Sequence, residues 1–296
     1  MSVVRHPVTD GSAYGHRRRV PAGAPVTLAC RPSIDVPAEH GRRGGGYTCE
    51  VAADDRSLGL RLGAAALLAP ALLVPLALIA AFVAGHWAPL YELDGTVTNA
   101  MHEFAESHPL WVEFMALISW VFAPTSLRVA ALVLVIWLVW RRRAPRPAVW
   151  VVVTMTLGGA LSALLKQLVG RHRPDLLEPV ARATGYAFPS GHAANAALAA
   201  GVFLLVLLPL VHDHPGRRAA LWVAATVMPL LTGLSRVALG VHWMSDVVAG
   251  WLLGVATVAV TTVAFQGWRT RSGHTAEPVT TEGIEPGLAD DPTRRV

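Results

Sequence analysis

Uncharged apolar runs recur along the chain from residue 62 to residue 266, separated by short polar links. Residues 62–84, 147–165, 193–211, 219–235 and 247–266 form runs of 17 to 23 residues without one Asp, Glu, Lys or Arg. At a rise of ~1.5 Å per residue, a helix of about twenty residues crosses the ~30 Å hydrocarbon core of a bilayer. A sixth run, 120–140, carries Pro124 and Arg128, and Arg128 is expected to snorkel toward an interface. The preceding stretch, 95–118, reads as one or two helices near the membrane surface. The pattern therefore predicts an all-α, polytopic membrane helical bundle of about six transmembrane helices. Its ends differ. Residues 1–58 are rich in Pro, Gly and Arg and show neither a 3.6- nor a 2-residue apolar period. They are expected to be a disordered N-terminal arm, followed by a membrane domain over 59–266 and a polar tail over 267–296.

Composition agrees with the pattern. Hydrophobic residues make up 53% of the 296 positions and charged residues 15%, with a mean hydropathy of +0.44. A soluble enzyme of this size needs more polar surface. The basic excess, pI near 9.9, does not indicate a nucleic-acid partner, because Arg residues cluster beside apolar runs rather than along one helix face. Residues 141–146 read RRRAPR, Arg217 and Arg218 precede the fifth run, and Arg269 and Arg271 follow the last. The 86–110 link instead holds Glu92, Asp94, Glu103 and Glu106 and no Lys or Arg. The positive-inside rule then places both termini in the cytoplasm and the 170–191 and 236–242 links on the outer face of a plasma membrane. No cleavable leader is expected, since the first apolar run starts about sixty residues in. Cys30 and Cys49 lack zinc-ligand spacing and are expected as free thiols. Small residues four apart, Gly159/Ala163, Ala197/Gly201 and Gly250/Gly254, suit close helix packing. Trp87, Trp111 and Trp120 are expected as interfacial anchors.

Ionisable residues gather at the outer ends of the later spans, where they are expensive and mark function. Lys166 ends the third span, with Arg171, His172, Arg173 and Pro174 close behind. Pro189-Ser190-Gly191-His192 opens the fourth, Ser235-Arg236 ends the fifth, and His242 and Asp246 stand at the start of the sixth. Lys166, Arg173 and Arg236 supply three cations, two of them guanidinium forks suited to phosphate oxygens. Ser190, Gly191 and the opening helix add hydroxyl and backbone donors. The set calls for a phosphoryl group rather than a carboxylate, which has too few oxygens. His242 and Asp246 are i,i+4, so the carboxylate can orient the ring and leave its other nitrogen facing phosphorus. His192 can protonate the leaving oxygen, with Asn195 one turn further in as a helper.

These residues, Lys166-x6-Arg173-Pro174, Pro189-Ser190-Gly191-His192 and Ser235-Arg236-x5-His242-x3-Asp246, resemble the three-part signature of the type 2 phosphatidic acid phosphatase superfamily, which includes lipid phosphate phosphatases and vanadium haloperoxidases. The resemblance covers about residues 60–266. It implies that His242 attacks phosphorus to give a phosphohistidine, that Asp246 orients it, and that His192 protonates the leaving group. It further implies that Lys166, Arg173, Ser190, Gly191 and Arg236 hold the phosphoryl oxygens, with no metal and no other cofactor. Arg171 and His172 fall in a variable stretch of the first motif and are given no catalytic role. The expected activity is a lipid phosphatase acting on undecaprenyl diphosphate, phosphatidate or phosphatidylglycerophosphate. A phosphotransferase using the same site with an acceptor other than water is the alternative. The six spans argue against a soluble haloperoxidase, and the absence of an inverted repeat argues against a transporter. The substrate, the oligomeric state and the role of the arm are not readable.

Overall fold

A computed structural model describes residues 28–32, 47–51, 55–175, 183–211 and 213–271, which fall into two units, 1–64 and 65–296. In the first unit, β1 (Leu28–Pro32) pairs antiparallel with β2 (Tyr47–Val51), Cys30 standing opposite Cys49. Helix α1, Asp55–Ala84, begins there. The described part of the expected disordered arm thus holds a strand pair, and the first helix starts before residue 58. A two-stranded ladder is made of backbone hydrogen bonds and needs no buried face, so the missing two-residue period did not forbid it. The remainder of that arm lies outside the described residues.

The second unit, among its described residues, is helical. After α1 come α2 (Ala88–Ser107), α3 (Pro109–Val121), α4 (Pro124–Trp140), α5 (Pro145–Val169), α6 (Gly191–Leu207), α7 (Pro215–Ala238) and α8 (Met244–Arg271). Five of these, α2 to α5 and α7, carry proline in the first turn. There the missing N–H is one of the groups a helix leaves unbonded anyway. Helix α8 runs past the expected boundary at 266, and most of the expected tail lies outside the described residues.

Five stretches are long and apolar enough to cross a membrane: 109–140, 145–169, 191–211, 215–238 and 244–268. A sixth exists if Pro70–Ala84 and Ala88–Ser107, bent by 92°, are taken as one broken span. The expected surface stretch 95–118 divides: α2 turns away from Pro70–Ala84 by 92°, whereas α3 joins α4 across a break at Phe122 and Ala123 as one apolar stretch, so that this span starts at 109 rather than 120. Large apolar side chains such as Leu110, Trp120, Trp140 and Leu168 face outward, as lipid contact requires. Trp87 and Trp120 are exposed as expected of anchors, but Trp111 packs inward against Met115 and Ala238.

Helix α6 is the centre, with every residue from Ala193 to Ala200 buried. In lipid, side-chain burial between helices gains little hydrophobic energy, and close dispersion contact must hold them. Two glycines of α8 make that contact. A Cβ at Gly250 would sit 2.7 Å from the Ser190 carbonyl oxygen, and one at Gly254 would sit 2.6 Å from Ala197 Cβ. The approach brings the two helix starts together, where the Ser190 N–H donates to the Asp246 carbonyl at 2.9 Å. Between α4 and α5 an apolar groove of about 510 Å³ faces outward, with the exposed Arg128 on its wall.

Candidate active site

Helix α5 ends at Gly170, whose φ of 63° is left-handed and whose N–H returns to the Lys166 carbonyl. Glycine adopts this turn at no steric cost. The reversal sends Arg171 into the interior, where it is 5% exposed, and brings Arg173 to the loop that leads into α6. Lys166 Nζ donates to the Tyr186 carbonyl at 2.9 Å and to that of Ala187 at 3.5 Å. Arg173 Nε donates to Gly185 O at 2.9 Å, and Nη2 donates to Thr184 O at 3.1 Å and Tyr186 O at 3.4 Å. Its Nη1 reaches the Val241 carbonyl at 2.6 Å and His242 Nε2 at 3.1 Å. Loop carbonyls thus hold both cations in place.

The start of α6 lies beneath them. A Cβ at Gly191 would be 3.9 Å from Lys166 Cε, so the lysine stem passes directly over the first turn. Ser190 occupies the N-cap position without capping, and its Oγ is buried with no partner. Asn195 Nδ2 donates to Gly191 O at 2.8 Å and ties the first turn together, while its Oδ1 is buried without a partner. Arg236, in the last turn of α7, donates from Nη1 to Ser119 Oγ, while its Nε is buried and unpartnered. His192 is bonded to the Ser119 backbone.

His242 closes the ring of residues. Its Nδ1 lies 3.4 Å from Asp246 Oδ2, which also accepts the Trp243 N–H at 3.0 Å. An arginine can only donate, so the Arg173 contact marks Nε2 as the lone-pair nitrogen and Nδ1 as the protonated one. Burial pushes His242 down to about 4; the Asp246 hydrogen bond and charge oppose this, and Arg173 and Arg236 reinforce it. The ring is neutral at neutral pH, and its outer nitrogen carries a lone pair that here accepts from Arg173.

The contacts bring several of the residues singled out from the sequence together: Gly191 lies under the Lys166 stem, Arg173 reaches His242, His242 reaches Asp246, and the Ser190 N–H meets the Asp246 carbonyl. Buried polar atoms are almost always bonded, yet Ser190 Oγ and Arg236 Nε are donors without acceptors. They face a setting that already holds three cations. An anion with several oxygens would satisfy them together. Among the described residues, no group of three or more His, Cys, Asp or Glu is placed to hold a metal ion. Beside the site a cavity of about 370 Å³ is lined by His86, Tyr91, Arg171, His172, Arg173 and Trp243, among others.

Four residues to which the sequence reading gave no role in the site belong to this region. Ser119 on α3 serves both Arg236 and His192. Arg171, Ser245 and Asp94 of α2 form a buried cluster with Asp246. Asp94 carried one signal, an acid in a helix between apolar segments, but Glu92, Glu103 and Glu106 carried it equally.

Residues 147–270 match the PAP2 superfamily. The chain is 39% identical over 98 residues to phosphatidylglycerophosphatase B of Bacillus subtilis, covering 32% of this chain and 46% of that one. It is 32% identical over 120 residues to an undecaprenyl-diphosphatase of Sulfolobus acidocaldarius, covering 38% and 52%. The chain therefore spans about half the length of these curated relatives. Its fold is similar to the crystal structure of a transmembrane PAP2-type phosphatidylglycerolphosphate phosphatase from Bacillus subtilis. That match has a TM-score of 0.59 and 25% identity, over 69% of this chain and 96% of the other.

Proposed function

We propose, because residues 147–270 of this multi-pass membrane protein match the PAP2 superfamily, that the chain is a lipid phosphatase working through a phosphohistidine without a metal. The observation that carries the reading is the line Arg173–His242–Asp246 beside the unpartnered donors of Ser190 and Arg236. The phosphoryl oxygens take the N–H groups of Lys166, Arg173, Arg236 and the start of α6, together with Ser190 Oγ. His242 Nε2 attacks phosphorus, the P–N bond forms and the bond to the lipid oxygen breaks. His192 gives its proton to that oxygen. Asp246 balances the positive charge that the His242 ring acquires. Water, deprotonated by His192, then attacks the phosphohistidine and releases inorganic phosphate, which restores both rings.

Substrates are phosphomonoesters or diphosphates of membrane lipids, the class that the relatives' names span. The arginine-rich links support a site on the outer side of the plasma membrane. The test is phosphate release by detergent-purified protein in excess EDTA, with phosphatidate, phosphatidylglycerophosphate and undecaprenyl diphosphate compared, beside a His242→Ala variant. Release that survives EDTA and falls by more than about 1000-fold in the variant is expected. Folded protein that releases nothing until an acceptor alcohol is added would replace hydrolysis by phosphoryl transfer. Release that His242→Ala leaves intact would overturn the mechanism.

A further inference from the structure

We infer that Asp94 and Arg171 are a positioning pair that aims Asp246 at His242 and keeps its charge available to that ring, an inference that rests on His242 being the nucleophile. Neither residue belongs to the three-part motif, and Asp94 lies on α2, outside the matched stretch 147–270.

Arg171 Nη2 donates to Asp94 Oδ2 at 2.7 Å. Its Nη1 donates to Asp246 Oδ1 at 2.8 Å and to Ser245 Oγ at 2.7 Å. Ser245 donates in turn to Asp94, from its backbone N–H to Oδ1 at 2.9 Å and from Oγ to Oδ2. The guanidinium carbon lies 4.7 Å from the Tyr91 ring centroid and 5.2 Å from that of Trp243, so its orientation is fixed by aromatic rings as well as by acceptors. Asp94 and Asp246 are 1% and 0% exposed.

The two oxygens of Asp246 therefore have separate duties. Oδ1 is held by Arg171, and Oδ2 serves the His242 ring and the Trp243 N–H. Anchoring one oxygen sets the plane of the carboxylate and hence the line along which Nδ1 is held. The charges divide the same way. One cation stands between two anions, so Asp94 neutralises Arg171 and one negative charge remains for His242 as its other nitrogen bonds to phosphorus. Without Asp94 the guanidinium would neutralise Asp246 itself. Without Arg171 two buried carboxylates would meet across Ser245 with no cation between them. Burial works against the Arg171 charge, and Asp246 and Asp94 more than offset it, raising its pKa. The other ionisable groups that face Asp246 are Lys166 from α5 and Arg173 and His242 from the loops, while His192 from α6 and Arg236 from α7 face His242.

The experiment uses the purified full-length chain in detergent with Asp94→Asn, Arg171→Gln, Arg171→Lys and the Asp94→Asn/Arg171→Gln double variant. Each neutralising single variant is expected to lower kcat about 10- to 100-fold with KM changed less than about 2-fold, and the double variant to lose no more than the worse single. The pH profiles part in opposite directions. The acid limb of kcat/KM moves to higher pH in Arg171→Gln, where a cation near His242 is lost. It moves to lower pH in Asp94→Asn, where an anion is lost. Arg171→Lys restores the limb and only part of kcat, since one ammonium cannot bridge both carboxylates as a fork does. Wild-type kcat in both single variants would overturn the pair. So would losses that follow the folded fraction while both limbs stay in place. If wild type itself releases no phosphate, the phosphatase reading has failed. The pair is then judged by ¹⁵N titration of the His242 ring, which Arg171→Gln must move upward; an unmoved titration overturns it.

Discussion

Helices α5 to α8 and helices α2 and α3 contribute to the same site in different ways. The later helices and the loops between them bring every group assigned to the phosphoryl or the attack on it: Lys166, Arg173, Ser190, Gly191, His192, Arg236, His242 and Asp246. The earlier helices bring Asp94 and Ser119, which face those groups from behind. Chemistry restricts the first set to a few residue types at a few spacings. The second set has only to place a hydrogen bond, which many residues on many backbones can do. This matches the reach of the similarities, since sequence similarity begins at 147 while the structural likeness covers 69% of the chain.

The sharpest way to break that division is at Asp246. Asp246→Asn keeps the shape and can still hold Trp243, but it removes the charge facing His242. A fall in kcat of about 1000-fold is expected, with KM little changed, measured by phosphate release at saturating substrate. A loss of only a few fold would mean that the ring needs no counter-charge, and the later helices would lose their claim to the chemistry.

Ser119→Ala tests the other side. It deletes the hydroxyl that holds Arg236 Nη1 and leaves the backbone contact to His192. A hydrogen bond to a charged group contributes about 1.5–3 kcal/mol, so a loss of roughly 10- to 100-fold in kcat/KM is expected, carried mainly by KM because the proposed role of Arg236 is to bind substrate. A loss as deep as that of Asp246→Asn would erase the distinction between the two regions.

How much was legible follows the same line. The apolar runs marked the spans, because lipid leaves a backbone little choice but helix. The break before Pro124 and the 92° bend after Ala84 were only partly visible, since polar residues at a surface helix and at a loop look alike. Ser190 and Arg236 were expected as phosphate donors from type and order, and the fold leaves Ser190 Oγ and Arg236 Nε buried without acceptors. Asp94 could not be separated from Glu92, Glu103 and Glu106, since only the folded α2 decides which acid faces inward. Arg171 sat between motif positions and was passed over, because nothing local tells a buried guanidinium from one at an interface. Cys30 and Cys49 were read as unrelated thiols, and their alignment across β1 and β2 depends on a register that no apolar pattern announces.

The smallest expected effect joins the two regions through His242. Its folded value, about 4, lies below that of an ordinary histidine, chiefly through burial, with Arg173 and Arg236 adding to the depression. The native state therefore binds fewer protons than the unfolded chain between those two values. Stability from this group is present at neutral pH and is lost as pH falls from about 6.5 toward 4. Selective ¹⁵N labelling of histidine should show the His242 ring still neutral at pH 5.5, with the proton on Nδ1. In Ser119→Ala, Arg236 loses its tether and its charge is free to move away from the ring. The titration should then rise, by less than about one unit because Arg236 is the weakest of the contributors. An unchanged titration would mean that Ser119 holds Arg236 for binding alone, and a charged ring at pH 6.5 in the wild type would remove the neutral nucleophile on which the comparison rests.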